Sequence, residues 1–370
     1  MIIGVPREIK SYESRAGMTP SSVQVYCRHG HEVWIETGAG EGSGFGDREY
    51  IDAGARIVRD AATAWSAEMV VKVKEPQPGE YSYFREGLIL FAYLHLAPSP
   101  ELAQALIDRR VSAVAYETTQ LDDGSLPLLI PMSEVAGRMS VQIGARLLEK
   151  PSGGKGIMLG GVPGARPAEV VIVGGGTVGT NAARVATGLG ADVTLLDINP
   201  ERLRRLDDQF GGRLKTLICN PYVLAQAVQK ADLLVGAVLV PGARSPKVVA
   251  AETVKQMRPG SVIVDVAIDQ GGSVETVDRI TTHGNPTFER HGILHYSVAN
   301  IPGAVPRTST TALSNATTPY GLLMANHGLR QAVLSNPALA KGLCVINGQV
   351  TCGAVAESLG IPEVPLLGAL

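Results

Sequence analysis

Cysteine is scarce. The 370-residue chain has 4 cysteines, and Cys27, Cys219, Cys344 and Cys352 are scattered with no pair at metal-ligand spacing. That excludes a zinc-ribbon site and the disulfide framework of a small secreted domain. An excess of one charge is also lacking. The 33 basic and 35 acidic residues leave a formal net charge of −2, so no overall field recruits nucleic acid or an anionic membrane. No apolar run approaches the ~20 residues of a membrane-spanning helix. The start, Met1-Ile2-Ile3-Gly4-Val5-Pro6-Arg7, reads as a strand interrupted too soon for a signal peptide. These absences predict a cytoplasmic protein. Aromatic residues make up 5% of the chain against 43 glycines, a balance that suits an α/β protein with many tight turns. What is present is globular: 45% hydrophobic and 18% charged residues, enough for a full core and for two domains of ordinary size.

The stretch Val170-Val171-Ile172-Val173-Gly174-Gly175-Gly176-Thr177-Val178-Gly179 organises the rest. Apolar residues predict a short buried strand. Gly174, Gly176 and Gly179 then occupy the three positions of G-x-G-x-x-G, and Thr177 to Leu189 reads as a helix. Strand, glycine turn and helix together are the context of a dinucleotide site. Gly174 allows the tight turn, Gly176 lets backbone approach a pyrophosphate, and Gly179 lets the helix pack on its strand. The helix N-terminus offers free N–H groups to phosphate. The next strand, Val193–Leu196, ends in Asp197, about where the ribose-binding carboxylate is expected. A carboxylate there accepts from a 2′-OH and repels a 2′-phosphate, so the site favours NAD over NADP. Arg202, just beyond, suits the adenosine or a phosphate.

Other strands are expected at Ile2–Val5, Glu32–Glu36, Met69–Lys74, Leu88–Tyr93 and Val111–Tyr116. A helix should begin at the Thr19-Pro20 cap and end near Gly30, with others near Asp60–Ser66 and Pro100–Arg109. Ser133–Lys150 carries apolar residues at helical spacing and should link two domains. Strands near Thr216–Ile218, Leu233–Val235, Val262–Val266 and Leu294–Val298 continue the nucleotide domain. From Thr308 the pattern is helical (Ala312–Leu329, Asn336–Leu343), a tail that returns to the first domain. The architecture expected is α/β: two Rossmann-like lobes across a cleft, with a doubly wound parallel-sheet NAD domain (129–307) inserted into a discontinuous α/β substrate domain (1–128 and 308–370).

Ligands of doubly wound sheets lie beyond the carboxyl ends of the strands, and several polar residues fall at such places. Lys74 ends one strand, with Lys72 on the same face by period-two alternation; an amine there suits an anion. Arg15 lies in a loop before a helix, where a guanidinium can grip a carboxylate through two hydrogen bonds. His95 ends an apolar strand and suits proton transfer near neutrality. Asp269 ends another, before Gly271-Gly272. Taken one at a time, a solvated edge lysine, a surface arginine, a satisfied core histidine and a turn aspartate are the alternatives. The loop Val298–Pro306, with two prolines, is placed to close over a ligand.

Together these segments resemble the NAD-dependent, hexamer-forming alanine dehydrogenases. The resemblance covers essentially the whole chain. It is carried by Gly4-Val5-Pro6-Arg7-Glu8 with Arg15, Lys72-Val73-Lys74-Glu75-Pro76, Tyr93-Leu94-His95-Leu96, Pro131–Arg138, Leu159–Gly164, Val264–Gly272 and Val298–Thr310. The superfamily includes the nucleotide-binding subunit of transhydrogenase, but a transhydrogenase-like role would need a membrane partner that nothing here supplies. A non-catalytic NAD-binding regulatory protein would be expected to have lost the polar site residues. The resemblance implies reversible oxidation of L-alanine to pyruvate and ammonium, with no nucleic-acid or membrane partner, in a homohexamer. It implies that Arg15 and Lys74 hold the substrate carboxylate, that His95 and Asp269 are the acid/base pair, and that Tyr93, Met132 and Asn300 line the substrate pocket. Ser133, Thr177 and Val178 would meet the cofactor phosphates; Asp197, Arg202 and Cys219 the adenosine end; Val238, Leu239, Ala267 and Ile268 the rings. Arg279 and the loop residues Val298, Ala299, Asn300 and Ile301 would also approach the cofactor. Cys219 stands where the family usually has serine, Ile301 replaces the usual methionine, and the segment before Arg279 is one residue longer than usual. Some relatives bind Mg²⁺ through residues matching Glu117 and His327, so a metal at those two residues is a further expectation.

Overall fold

Short apolar runs become strands wherever glycine, proline or a capping side chain ends them. The structure, a computed structural model, describes residues 1–238 and 245–370. The strands in chain order are β1 (Ile2–Val5), β2 (Glu32–Glu36), β3 (Arg56–Val58), β4 (Met69–Val71), β5 (Ile89–Ala92) and β6 (Ser112–Ala115). β7 (Glu169–Val173), β8 (Asp192–Asp197), β9 (Lys215–Ile218), β10 (Leu233–Gly236), β11 (Val262–Asp265), β12 (Thr287–Arg290) and β13 (Ile293–Tyr296) follow, and β14 (Leu343–Ile346) and β15 (Gln349–Val350) lie in the tail. The chain packs as two compact units, one of residues 1–132 and 305–370, the other of residues 133–304.

In the first unit the strand order is β15-β14-β6-β5-β4-β1-β2-β3. β6 to β3 run parallel, whereas β14 is antiparallel to β6 and to β15. The order reverses direction between β4 and β1, which is where a doubly wound sheet opens a crevice at its carboxyl edge. Buried strand residues Leu90, Ala92 and Ala113 pack with Leu102 and Leu106 of the helix Pro100–Asp108. The helix Pro20–Arg28 is capped by Thr19, whose hydroxyl accepts the Ser22 N–H at 3.2 Å. The tail returns as the helix Pro306–Ser335, broken at Gly328 (φ 75°, ψ 157°). Its Thr310 and Ser314 hydroxyls accept the backbone N–H groups of Ala16 and Thr19 at 3.1 and 3.0 Å, which fixes the loop carrying Arg15.

The second unit's sheet has the order β12-β13-β11-β10-β7-β8-β9. All neighbours are parallel except β12 and β13. The reversal point falls between β7 and β10, and the glycine turn is the segment that leaves β7 there. No helix among the described residues is long and apolar enough to cross a membrane.

Several boundaries differ from the sequence reading. β4 stops at Val71, short of Lys74, because the Val73 N–H turns to the Glu8 carboxylate at 2.6 Å. β11 stops at Asp265, and a 3-10 turn over Val266–Gln270 follows; Asp269 is on that turn and not on the strand. The linking helix spans Ile130–Leu147, not Ser133–Lys150. The antiparallel strands β12, β14 and β15 and the short helix Asp47–Asp52 were not expected, each being too brief for a periodicity to emerge.

Candidate active site

The reversal point of the first sheet gathers the charged side chains. Parallel pairing aligns the ends of β6, β5, β4 and β1, and the residues just past those ends are Glu117, His95, Lys74 and Glu8. Arg15 comes from the loop after β1 and is 2% exposed. Glu13 clamps it: Nε donates to Oε1 at 2.7 Å and Nη2 to Oε2 at 2.5 Å, while Nη1 sits 3.1 Å from the Met132 sulfur. Burial pulls the Arg15 pKa down, but the Glu13 carboxylate outweighs it and holds the guanidinium charged. Tyr93 is buried and donates its hydroxyl to the Leu128 carbonyl at 2.5 Å. Burial pushes its phenol up, so it stays neutral. The exposed His95 ring stacks on Tyr93, with centroids 6.1 Å apart and planes at 10°.

Beneath these groups lies a buried charge triad. Lys72 is 1% exposed, with its ammonium 3.2 Å from Glu8 Oε2 and 3.0 Å from Glu80 Oε1. Glu8 also accepts the Val73 and Lys74 N–H groups at 2.6 and 3.4 Å. Alternation suggested that Lys72 shares the ligand-facing role of Lys74. Instead it is neutralised inside the fold and braces the backbone from which Lys74 projects. The sequence gives Glu8, Glu13 and Glu80 no role of their own, because their roles depend on partners brought by other segments; the Glu13/Arg15 spacing is the local signal.

In the second unit the glycine turn has the geometry of a dinucleotide cradle. Gly174 has φ +101°, and a Cβ there would lie 2.6 Å from the Ala237 carbonyl oxygen. This contact also places Val238 against the turn. A Cβ on Gly179 would lie 1.8 Å from the Gly174 oxygen. At Gly176 a Cβ would meet nothing within 4 Å; open space stands where a pyrophosphate must approach, at the start of the helix Thr177–Gly188. Thr177 and Val178 open that helix. Ser133 lies one turn before Gly137, whose Cβ position is 2.2 Å from the Val178 oxygen. The residues therefore fit a dinucleotide. Replacing Gly179 by alanine should force strand and helix apart, costing about 1–3 kcal/mol as overpacking and abolishing NADH binding in a fluorescence titration.

Asp197 ends β8 and accepts from Gly175 N–H (2.7 Å), Asn199 N–H (2.8 Å) and Arg202 Nη1 (3.1 Å). Burial alone would raise its pKa; these donors outweigh it and hold the carboxyl below the usual range. Cys219 donates its N–H to the Asp197 carbonyl at 3.0 Å, so it stands at the same corner. Ala267, Ile268 and Asp269 occupy the 3-10 turn after β11. Asp265 holds that turn from below: it is fully buried and accepts from Ala267, Ser273 and Val274 N–H and from the Ser273 hydroxyl at 2.7–3.1 Å. Lys247 donates to the Gly271 carbonyl at 2.6 Å. Arg279 is engaged by Asp278 at 2.8 Å and lies over the Phe288 ring at 4.7 Å. Val298 bridges Thr281, Asn300 has φ +65°, and Ile301 is buried in a 3-10 turn over Ile301–Ala304; Ala299 is half-buried beside them. Leu239 lies outside the described residues.

Comparison with known proteins follows the same division. Residues 4–136 match the family profile "Alanine dehydrogenase/PNT, N-terminal domain" and residues 140–353 match "Alanine dehydrogenase/PNT, C-terminal domain". The chain belongs to the alanine dehydrogenase/PNT family. It is 62% identical over 370 residues to an alanine dehydrogenase of Bacillus subtilis, covering 100% of this chain and 98% of that one. It is 60% identical over 371 residues to an alanine dehydrogenase of Methanococcus maripaludis, with both chains covered completely. Among solved structures, an L-alanine dehydrogenase superposes with a TM-score of 0.95 at 54% identity, over 97% of this chain and 99% of that one. A transhydrogenase from Sinorhizobium meliloti shares the fold, with a TM-score of 0.84 at 23% identity over 95% of this chain and 100% of that one.

One expectation drawn from the alanine dehydrogenase/PNT resemblance finds no support. Glu117 and His327 do not form a supported Mg²⁺ site. The Glu117 carboxylate is taken up by the N–H groups of Leu94 and His95. His327 lies exposed beside the helix break at Gly328, and no cluster of three or more metal-ligating side chains occurs among the described residues.

Proposed function

We propose that this protein is an L-alanine dehydrogenase: L-alanine, NAD⁺ and water give pyruvate, ammonium, NADH and a proton, reversibly. The observation that carries the reading is the gathering of His95, Lys74 and Arg15 at one sheet's reversal point, in a chain that matches alanine dehydrogenases from end to end. NAD, when bound, supplies the hydride acceptor. Gly174, Gly176 and Gly179 would cradle its phosphates, Asp197 its ribose, and Ala267 and Ile268 would lie beside its rings. The chain's own part is to bind, orient and move protons. Arg15 and Lys74 clamp the substrate carboxylate, where exclusion of water strengthens charge pairing. Glu13 fixes the guanidinium plane, so little ordering is left for binding. Asp269 takes a proton from the amine or from the attacking water. His95 polarises the developing carbonyl oxygen and carries its proton. Tyr93, Met132 and Asn300 are the further residues that would meet the substrate.

The test is NADH absorbance on mixing protein, L-alanine and NAD⁺ at alkaline pH; a flat trace over a range of protein concentrations sinks the reading. Lys74→Ala should raise KM for alanine and pyruvate roughly 10- to 100-fold, the equivalent of the ~1.5–3 kcal/mol of a hydrogen bond to a charged group. KM for NAD should stay near its original value. Unchanged alanine and pyruvate kinetics would remove Lys74 from the carboxylate site.

A further inference from the structure

We infer that Glu117 is a positioning residue that sets the backbone conformation, and through it the aim, of His95. This rests on the acid/base role proposed for His95. β5 and β6 are parallel neighbours, with Ala92 opposite Ala115, and the Tyr116 N–H continues the ladder to the Ala92 carbonyl at 2.9 Å. Just beyond, the ladder is replaced. The chain after β5 bends so that His95 takes φ +47°, in the left-handed region that few residues other than glycine enter. Such a bend points successive N–H groups the same way and forms a small anion-binding nest. The adjacent strand supplies the anion. Leu94 N–H lies 3.2 Å from both Glu117 oxygens, and His95 N–H lies 2.6 Å from Oε1.

The side-chain direction follows from that backbone. His95 is exposed, and its ring contact is the stacking on Tyr93, itself anchored at Leu128. With φ released, the chain would relax toward ordinary extended geometry and swing the imidazole off Tyr93. The carboxylate therefore does for the histidine backbone what a phosphate does in other nests. A turn braced only for stability would show the same hydrogen bonds, so the test must separate the two roles.

Glu117→Ala removes the anion, and Glu117→Gln keeps a neutral acceptor oxygen. Glu117→Ala should lower kcat for alanine oxidation by ~10- to 100-fold, the scale of a catalytic group misplaced by about 1 Å. Glu117→Gln should recover part of that loss, and NADH affinity should not move. In a His95→Ala background the same Glu117→Ala change should cost less than about 2-fold, because coupled residues are not additive. A kcat within about 2-fold of the wild type, or an equal loss in both backgrounds, overturns the inference. If Glu117→Ala does not yield protein that binds NADH, Glu117→Gln in the two backgrounds decides by the same comparison. Wild-type protein that forms no NADH from alanine removes the reading of function and the inference with it; active wild type with indifferent variants removes the inference alone.

Discussion

Replacing His95 by alanine is expected to lower kcat for alanine oxidation and for pyruvate amination by ~10²–10⁴-fold, the usual contribution of one proton-transfer group. Both directions should suffer, since the same imidazole gives and takes the same proton. KM for NAD should change little, because His95 belongs to the first unit and the glycine turn to the second. The fold should be unharmed: the ring is exposed, and alanine adds no bulk. Steady-state kinetics in both directions, with NADH binding as a control, measure this. A variant with wild-type kcat would leave the stack of His95 on Tyr93 without a catalytic meaning.

The second large effect concerns stability. Lys72→Met should destabilise the protein by about 3–5 kcal/mol, the scale for breaking a buried ion pair from one side. The methionine fills the space of the stem but leaves Glu8 and Glu80 facing each other without their shared cation. Burial already raises the Glu8 pKa, with Lys72 as the main opposing influence. Removing that cation raises it further. The folded variant then holds a proton that the unfolded chain releases, so its stability falls as pH rises from the ordinary carboxylate range through the raised Glu8 pKa, and recovers as pH falls. Urea melts at acidic and neutral pH measure the loss and its sign. A variant as stable as the wild type at neutral pH would show that the triad is already relieved by proton or water.

The two sheets were legible because their strands are continuous apolar runs ended by glycine, proline or a charged residue. Val170–Val173 before Gly174 and Leu233–Val235 before Gly236 are examples. The glycine turn was legible because each glycine answers a different steric demand within one short segment. Asp197 followed from its place at the end of the next strand. The supports of the site were not legible. Lys72 and Lys74 look alike in sequence, and only the approach of Glu8 and Glu80 from other segments makes one a brace. Asp265 and Asp269 pose the same problem four residues apart: where β11 ends decides which carboxylate is buried under the turn and which stands on it. Glu117 is linked to a metal by the resemblance alone; in the sequence, a carboxylate past a strand end carries no mark of what it accepts. β14 escaped because Leu343–Ile346 follows directly on a helix of similar apolar content.

β14 completes the first sheet by lying against β6, yet every residue of the second unit is synthesised between those two strands. A chain leaving the ribosome at ~5–20 residues per second therefore exposes β6 (Ser112–Ala115) as a bare edge until β14 (Leu343–Ile346) has been made. Bare edges pair with whatever strand arrives first. The second unit, contiguous in the chain, can close during that interval, whereas the first must wait for its last strands. The nascent protein is thus most vulnerable to mispairing at the strand that leads into Glu117.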